Sequence, residues 1–247
     1  MIPKVIYMCH KKLDQIKIYS KNWKRLNPEY EIKLYDDEMC KESLSYSPLH
    51  LAIFNFLKDG PIKADFWRVC ILNRFGGLYV DADINPLVPL REYIDNDDFV
   101  TCISENFSKN RQEFQLNPHF IMCARANPIL QNTIDKYVKK YTNQVPYDYW
   151  DWSICNLMTI GGIEEKKSQI LYLNGKKHKF LYEKDFNNCE YNGKVVLKNR
   201  YDNYKNHNFE QSYFYLSVLF VLFVLFFGFI FAYLLRHYKL FNGLFAS

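Results

Sequence analysis

The sequence predicts an α/β domain with a mostly parallel sheet, followed by one C-terminal transmembrane helix. Three observations predict it. Short apolar, strand-like runs alternate with helix-period stretches from residue 2 to about residue 140. The chain has 247 residues and is 49% hydrophobic, which is ample for one packed core. Residues 213–235, YFYLSVLFVLFVLFFGFIFAYLL, contain no charged side chain.

The elements follow in order. Residues 2–8 read as an apolar strand, and Asp14 can cap a helix that runs to about Leu26, where Asn27-Pro28 stops it. Residues 31–35 form a second strand, and Asp36 can cap a short helix after it. A further helix spans residues 49–58. Behind Gly60, Pro61 at a first helical position opens PIKADFWRVCILNRF, which Gly76-Gly77 closes. Leu78-Tyr79-Val80 is the next strand, and it ends in Asp81. Residues 99–104 and 120–124 read as strands, and Asn127-Pro128 starts a helix to about Lys140.

The 23 residues of 213–235 would span roughly 34 Å as a helix, enough for a bilayer core with slight tilt. Tyr213, Tyr215 and Tyr233 sit near its ends, and Arg236, His237 and Lys239 follow. The layout expected is therefore a domain over residues 1–212, a transmembrane helix over 213–235 and a short basic tail over 236–247. MIPKVIYMCHKKLDQ lacks a long apolar region and a cleavage site, so no signal peptide is expected. Lys194, Lys198, Arg200 and Lys205 precede the apolar run and only Arg236 and Lys239 follow it. That asymmetry favours a cytoplasmic domain, with an ER or Golgi lumenal placement as the alternative.

Seven scattered cysteines without a C-x-x-C pair define neither a zinc motif nor a disulfide framework. The formal charge of +5, or +3 without the tail, is no footprint for nucleic acid.

Chemistry concentrates in RFGGLYVDADINPL, residues 74–87. Asp81 and Asp83 lie two apart and so crowd one another in extended backbone, which calls for a proton, a basic partner or a metal. In parallel sheets ligands gather beyond the carboxyl ends of strands, where these aspartates fall. Two oxygen ligands there suit Mg²⁺ or Mn²⁺, which would offset charge on a departing diphosphate. The bland alternative is a solvated turn closed by Asn85-Pro86. Asp65 and Arg68 are three apart on one helical face, either a surface ion pair or contacts to a nucleotide.

IPKVIYMCH, PIKADFWRVCILNRFGGLYVDADINPL and HNFEQSY resemble glycosyltransferase family 32, whose members include fungal mannosyltransferases, inositol phosphoceramide mannosyltransferases and bacterial capsular sugar transferases. The resemblance implies a GT-A fold, Rossmann-like on its nucleotide-sugar side, and a transferase that retains the anomeric configuration. It implies that Asp81 and Asp83 form the D-x-D that holds Mn²⁺ or Mg²⁺ against the donor diphosphate, with His207 as third ligand. Asp65 and Arg68 match the donor-contacting pair, Arg68 sharing in neutralising the leaving group. The end of the opening strand, before His10, matches the place that meets the nucleotide base. Asn117 matches an acceptor-side Asn, and Gly161 and Gly162 of TIGG match a T-G-P turn. Tyr213 stands where the family has Trp.

Only five residues separate His207 from Tyr213, a link of roughly 20 Å at most. A reaction centre held near a bilayer favours a lipid-linked acceptor. The function expected is thus membrane-anchored transfer of a hexose, mannose favoured, from a nucleotide diphosphate sugar to an inositol phosphoceramide-type glycolipid. Two alternatives stand beside it. One is a capsule or viral-glycan sugar transferase using a UDP-sugar and a non-lipid acceptor. The other is an inactive membrane-tethered scaffold that only binds sugar nucleotide.

Overall fold

The computed structural model describes residues 2–105, 114–158, 170–183, 188–199, 223 and 226–228. The chain divides into two units, Met1–Arg200 and Tyr201–Ser247.

In the first unit, β1 (Val5–Cys9) leads to α1 (Leu13–Leu26), β2 (Glu31–Tyr35), α2 (Asp37–Ser43), α3 (Pro48–Phe56) and α4 (Gly60–Phe75). Then come β3 (Gly77–Val80), β4 (Ile84–Pro86), a 3-10 turn at Leu90–Glu92, β5 (Phe99–Glu105) and β6 (Phe114–Cys123). The rest is α5 (Pro128–Thr142), α6 (Ile154–Leu157) and four strands: β7 (Ile170–Leu173), β8 (Lys176–Glu183), β9 (Asn188–Tyr191) and β10 (Lys194–Asn199).

Caps explain several boundaries. The carboxylate of Asp36 accepts from Met39 N, the hydroxyl of Ser47 from His50 N, and the Asn127 side chain from Ile129 N and Leu130 N. Asp14 does not cap α1. It lies in the first turn, where a carboxylate favours the positive helix end, and Lys12 holds the cap position without a side-chain bond.

The strands form one sheet in the order β2-β1-β3-β6-β5-β8-β9-β10-β4, with β7 added on β8. This corrects the expectation of a mostly parallel sheet. Only β1–β2, β1–β3 and β5–β8 pair parallel, and the other six pairings among the described residues are antiparallel. The physical reason is the connections. Parallel neighbours need a crossover connection, and helices separate strands only up to β3 and again between β6 and β7. After them, two-residue Asn-Gly turns join β7 to β8 and β9 to β10, with Asn174, Gly175, Asn192 and Gly193 all at positive φ. Because β4 follows β3 after a short turn yet pairs with β10 at the far end of the order, the sheet is curled.

Apolar residues cover both faces. On one side Tyr7, Tyr79, Phe99 and Ile121 pack with Phe66, Trp67, Tyr137 and Trp152 from α4, α5 and the segment before α6. On the other, Ile6, Leu78, Val80 and Phe120 pack with Ile16 and Trp23 of α1. Trp23 also donates its indole N–H to Ile84 O at 3.0 Å, which fixes the segment just past the two aspartates.

In the second unit, residues 223 and 226–228 are helical, with Phe223, Phe226 and Phe227 exposed. The remainder of the span expected over 213–235 lies outside the described residues. Among the described residues no helix is long and apolar enough to cross a membrane. The longest, α4, has 16 residues, about 24 Å, and carries Lys63, Asp65, Arg68 and Arg74. The expected anchor is corrected accordingly, and with it the single-pass membrane localisation and the choice between cytoplasmic and lumenal placement.

Candidate functional site

The site grows from the junction of α4 and β3. Helix α4 must end abruptly for the chain to enter the sheet between β1 and β6. Gly76 (φ 70°) and Gly77 (φ 111°) allow it, in backbone that side chains disfavour. A Cβ at Gly77 would stand 2.8 Å from Val5 O, and one at Gly76 would stand 2.7 Å from Arg125 N. Four strand residues later the chain reaches Asp81, whose N–H donates to His119 O at 2.8 Å and continues the β3–β6 ladder by one step. Ile84 N then donates to Asp81 O at 3.1 Å, closing a turn through Ala82 and Asp83. The two aspartates thus occupy the turn past the strand end rather than extended backbone.

Arg68 organises what lies behind them. Asp65 and Arg68, three apart on α4, are both buried, which overturns the surface ion-pair alternative. Arg68 Nη2 lies 3.0 Å from Asp65 Oδ1 and 3.2 Å from Asp81 Oδ1. Its Nη1 donates to Pro118 O at 2.9 Å and its Nε to Ala64 O at 3.3 Å, while the guanidinium sits 4.3 Å over the Tyr79 ring. The Tyr79 hydroxyl donates to Asp81 Oδ1 at 2.7 Å. Asp65 Oδ2 accepts from Ile154 N at 3.1 Å, tying α6 to the cluster.

Strand β6 supplies the acceptors because it is irregular. Thr101 pairs with Ile121 but Cys102 pairs with Asn117, so residues 118–120 stand outside the β5 register. Pro118 cannot donate to a ladder and commonly marks such a break. The carbonyls released are all used: Pro118 O by Arg68, His119 O by Asp81 N, and Phe120 O by the Thr101 hydroxyl at 2.9 Å.

Charge is unevenly settled. Asp81 has a guanidinium and a phenol as partners, whereas among the described residues no side-chain cation pairs with Asp83. Burial, and then the negative charge of Asp81, push the Asp83 carboxyl up to about 6. Burial likewise pushes Asp65 up to about 6, against the pull of Arg68.

The structure therefore brings Asp65, Arg68, Asp81 and Asp83 to one place. Asn117 lies on the other side of the β6 irregularity, donating to Glu183 Oε2 at 2.6 Å. The end of β1 reaches the cluster through Cys9, whose Sγ is 3.6 Å from the Tyr79 hydroxyl. Gly161, Gly162 and His207 lie outside the described residues. Sequence reasoning missed Tyr79 and the carbonyl of Pro118. The proline inside an apolar strand was the signal available for the second.

Comparison with known proteins gives the following. Residues 14–100 match the family described as the glycosyltransferase sugar-binding region containing DXD motif. The chain is 30% identical over 86 residues to the initiation-specific alpha-1,6-mannosyltransferase of Candida albicans, covering 33% of this chain and 22% of that one. It is 33% identical over 91 residues to the mannosyl phosphorylinositol ceramide synthase SUR1 of Saccharomyces cerevisiae, covering 34% and 23%. The chain thus spans less than a quarter of the length of the curated relatives it matches, and its relation to these yeast proteins is distant. Among solved structures it is similar to the PaToxG glycosyltransferase, with a TM-score of 0.45 and 14% identity over 66% of this chain and 68% of that one.

Proposed function

We propose that this chain, whose residues 14–100 match the glycosyltransferase sugar-binding region containing DXD motif, transfers a hexosyl group from a nucleoside diphosphate sugar to an acceptor hydroxyl. The acceptor favoured is a non-lipid glycan, as in the building of capsule or viral glycans. The glycolipid acceptor expected from the sequence rested on a membrane anchor that no described helix provides, and that reading is withdrawn.

The observation that carries the proposal is the asymmetry of the aspartate pair. Arg68 and Tyr79 hold Asp81 in a fixed position, while Asp83 sits beside it, part-buried and without a cationic partner among the described residues. Such a pair fits a hard divalent cation, Mn²⁺ or Mg²⁺, that prefers carboxylate and phosphate oxygens. When bound, that ion would offset the charge developing on the leaving diphosphate.

The chain's own residues have separate parts in this reading. Asp83 presents a carboxylate to the cation, and Asp81 presents the oxygen not taken by Arg68 and Tyr79. Arg68 acts through Asp81 as a positioning residue and adds positive charge behind the diphosphate. Asp65, with one oxygen on Arg68 and the other on Ile154 N, fixes the guanidinium. Asn117 is assigned to the acceptor side, Gly161 and Gly162 to close backbone approach, and His207 to the cation.

The test is thermal stabilisation of the full chain by GDP-mannose and by UDP-glucose, UDP-galactose and UDP-GlcNAc, each with and without Mn²⁺. The expected result is stabilisation by one donor, dependent on metal and lost in Asp83→Asn, together with release of its nucleotide when acceptor is added. A UDP-sugar as that donor supports the capsule or viral-glycan class, and GDP-mannose supports the mannosyl chemistry in the names of the two yeast relatives. No response to any donor would overturn the proposal.

A further inference from the structure

Close to the aspartate turn, three chemically soft side chains converge. Cys102 from β5, His119 from β6 and Cys189 from β9 are all buried, and their ligand atoms lie within 4.8 Å of one another. Cys189 Sγ is 3.5 Å from Cys102 Sγ and 3.2 Å from His119 Nε2. A tetrahedral Zn²⁺ with Zn–S of about 2.3 Å and Zn–N of about 2.0 Å sets ligand edges of about 3.8 Å for S···S and about 3.5 Å for S···N. The two observed edges fall within a few tenths of an ångström of those values. Glu183, also buried, lines a small cavity together with His119 and Cys189, so a carboxylate or a water there can complete four ligands.

A disulfide explains the sulfur pair less well. Cys102 is in register with Leu181 and Cys189 with Glu183, both on β8, so the two cysteines flank β8 on opposite sides. That is two strand spacings, about 9–10 Å in a flat sheet, whereas a disulfide requires Cα atoms within about 7 Å. Thiolates and an imidazole with an imidazole-to-sulfur edge match the preference of zinc, and differ in kind from the all-oxygen pair at Asp81 and Asp83.

We propose that Cys102, His119 and Cys189 bind one Zn²⁺ ion, with Glu183 or a water as fourth ligand. The ion has a structural role. It joins β5, β6 and β9 at the β6 irregularity, and because His119 O accepts the Asp81 N–H at 2.8 Å, it braces the backbone from which the aspartate turn hangs.

The experiment is elemental analysis and cobalt substitution on the full chain purified without chelator or immobilised metal. About one zinc per chain is expected in the wild type and in Asp83→Asn, and none in Cys189→Ser. Co²⁺ added to chelator-stripped wild type should produce near-ultraviolet thiolate-to-cobalt absorption and the intense visible bands of tetrahedral cobalt. This reading needs no variant, so it stands even if Cys189→Ser fails to fold. The proposal is overturned by wild type that holds no zinc and gives no thiolate–cobalt absorption. It is equally overturned by zinc that Cys189→Ser keeps and Asp83→Asn loses, or by a Cys102–Cys189 disulfide in peptides mapped without reduction.

Discussion

Arg68 and Asp81, one on a helix and one past the end of a strand, form an ion pair of 3.2 Å in which the guanidinium is almost wholly buried. The same Nη2 reaches Asp65 at 3.0 Å, so one cation serves two carboxylates. This resolves half of the crowding that the D-x-D spacing implies. Asp81 is relieved by a basic partner, and Asp83 is left as the carboxylate that a further cation would satisfy.

Replacing Arg68 should expose that dependence. Arg68→Met leaves Asp65 and Asp81 facing one another with the Pro118 carbonyl unpaired. Breaking a buried pair by removing one partner costs about 3–5 kcal/mol. Arg68→Lys keeps the charge but cannot span Asp65, Asp81, Pro118 O and Ala64 O with one point-like ammonium. Urea denaturation should therefore show both variants destabilised, Lys by less than Met. A lysine variant as stable as the wild type would mean that charge alone, and not the planar fork, holds the site.

Asp83→Asn should separate stability from function. Burial and the neighbouring Asp81 both disfavour a charge at position 83, raising that carboxyl from 3.8 to about 6. Discounted for its partial exposure, removal of the charge should stabilise the metal-free protein at pH 7 by about 1–2 kcal/mol. The same substitution should abolish metal-dependent stabilisation by the sugar nucleotide. Melting curves in chelator, then in Mn²⁺ with donor, test both halves; a variant less stable than wild type in chelator contradicts the first.

The pH dependence follows from Asp65. Its folded-state pKa is raised from 3.8 to about 6, chiefly by burial. Between those values the native chain keeps a proton that the unfolded chain has lost. Stability from this group is thus fully present below about pH 4, falls as pH rises through 6, and is level above. Asp65→Asn has nothing to titrate there. The stability of wild type relative to Asp65→Asn should be more favourable at pH 4 than at pH 7 by about 2–3 kcal/mol, measured by denaturant unfolding at both. Asp83 titrates in both proteins and cancels in the difference.

How much of this was legible in the sequence differs by region. The helices were readable because local signals set their ends: Asp36, Asn127-Pro128 and the Pro61 to Gly76-Gly77 frame are cap chemistry. The convergence of Asp65, Arg68 and Asp81 was readable as a candidate because helical spacing and strand-end position are local too. The sheet was misjudged from the second half of the chain. Asn174-Gly175 and Asn192-Gly193 are hairpin signals that outweigh a βαβ expectation, and they were available. The cluster of Cys102, His119 and Cys189 was not legible, since it joins three strands whose neighbourhood depends on the curl. The long apolar run at 213–235 predicts a membrane span from length and hydropathy alone, and no described helix is long and apolar enough to cross a membrane.

The last prediction concerns the joint that aims the site. Gly77 has φ 111°, and a Cβ there would lie 2.8 Å from Val5 O and 3.0 Å from a Tyr7 ring carbon. Neither neighbour can retreat cheaply: Val5 and Tyr7 belong to β1, which is paired with β2 on one side and β3 on the other. Gly77→Ala therefore combines backbone strain of about 1–3 kcal/mol with overpacking of similar size. Relief comes only if β3 shifts away from β1, and β3 carries Asp81 at its end. The variant should lose about 3 kcal/mol or more and should weaken donor binding even though no ligand-contacting side chain has changed. Gly60→Ala is the control, because nothing lies within 4 Å of a Cβ at the start of α4, and it should be neutral or slightly stabilising. If Gly77→Ala melted with the wild type, β3 would not be held where the close approach to β1 demands, and the positioning of Asp81 by that strand would have to be abandoned.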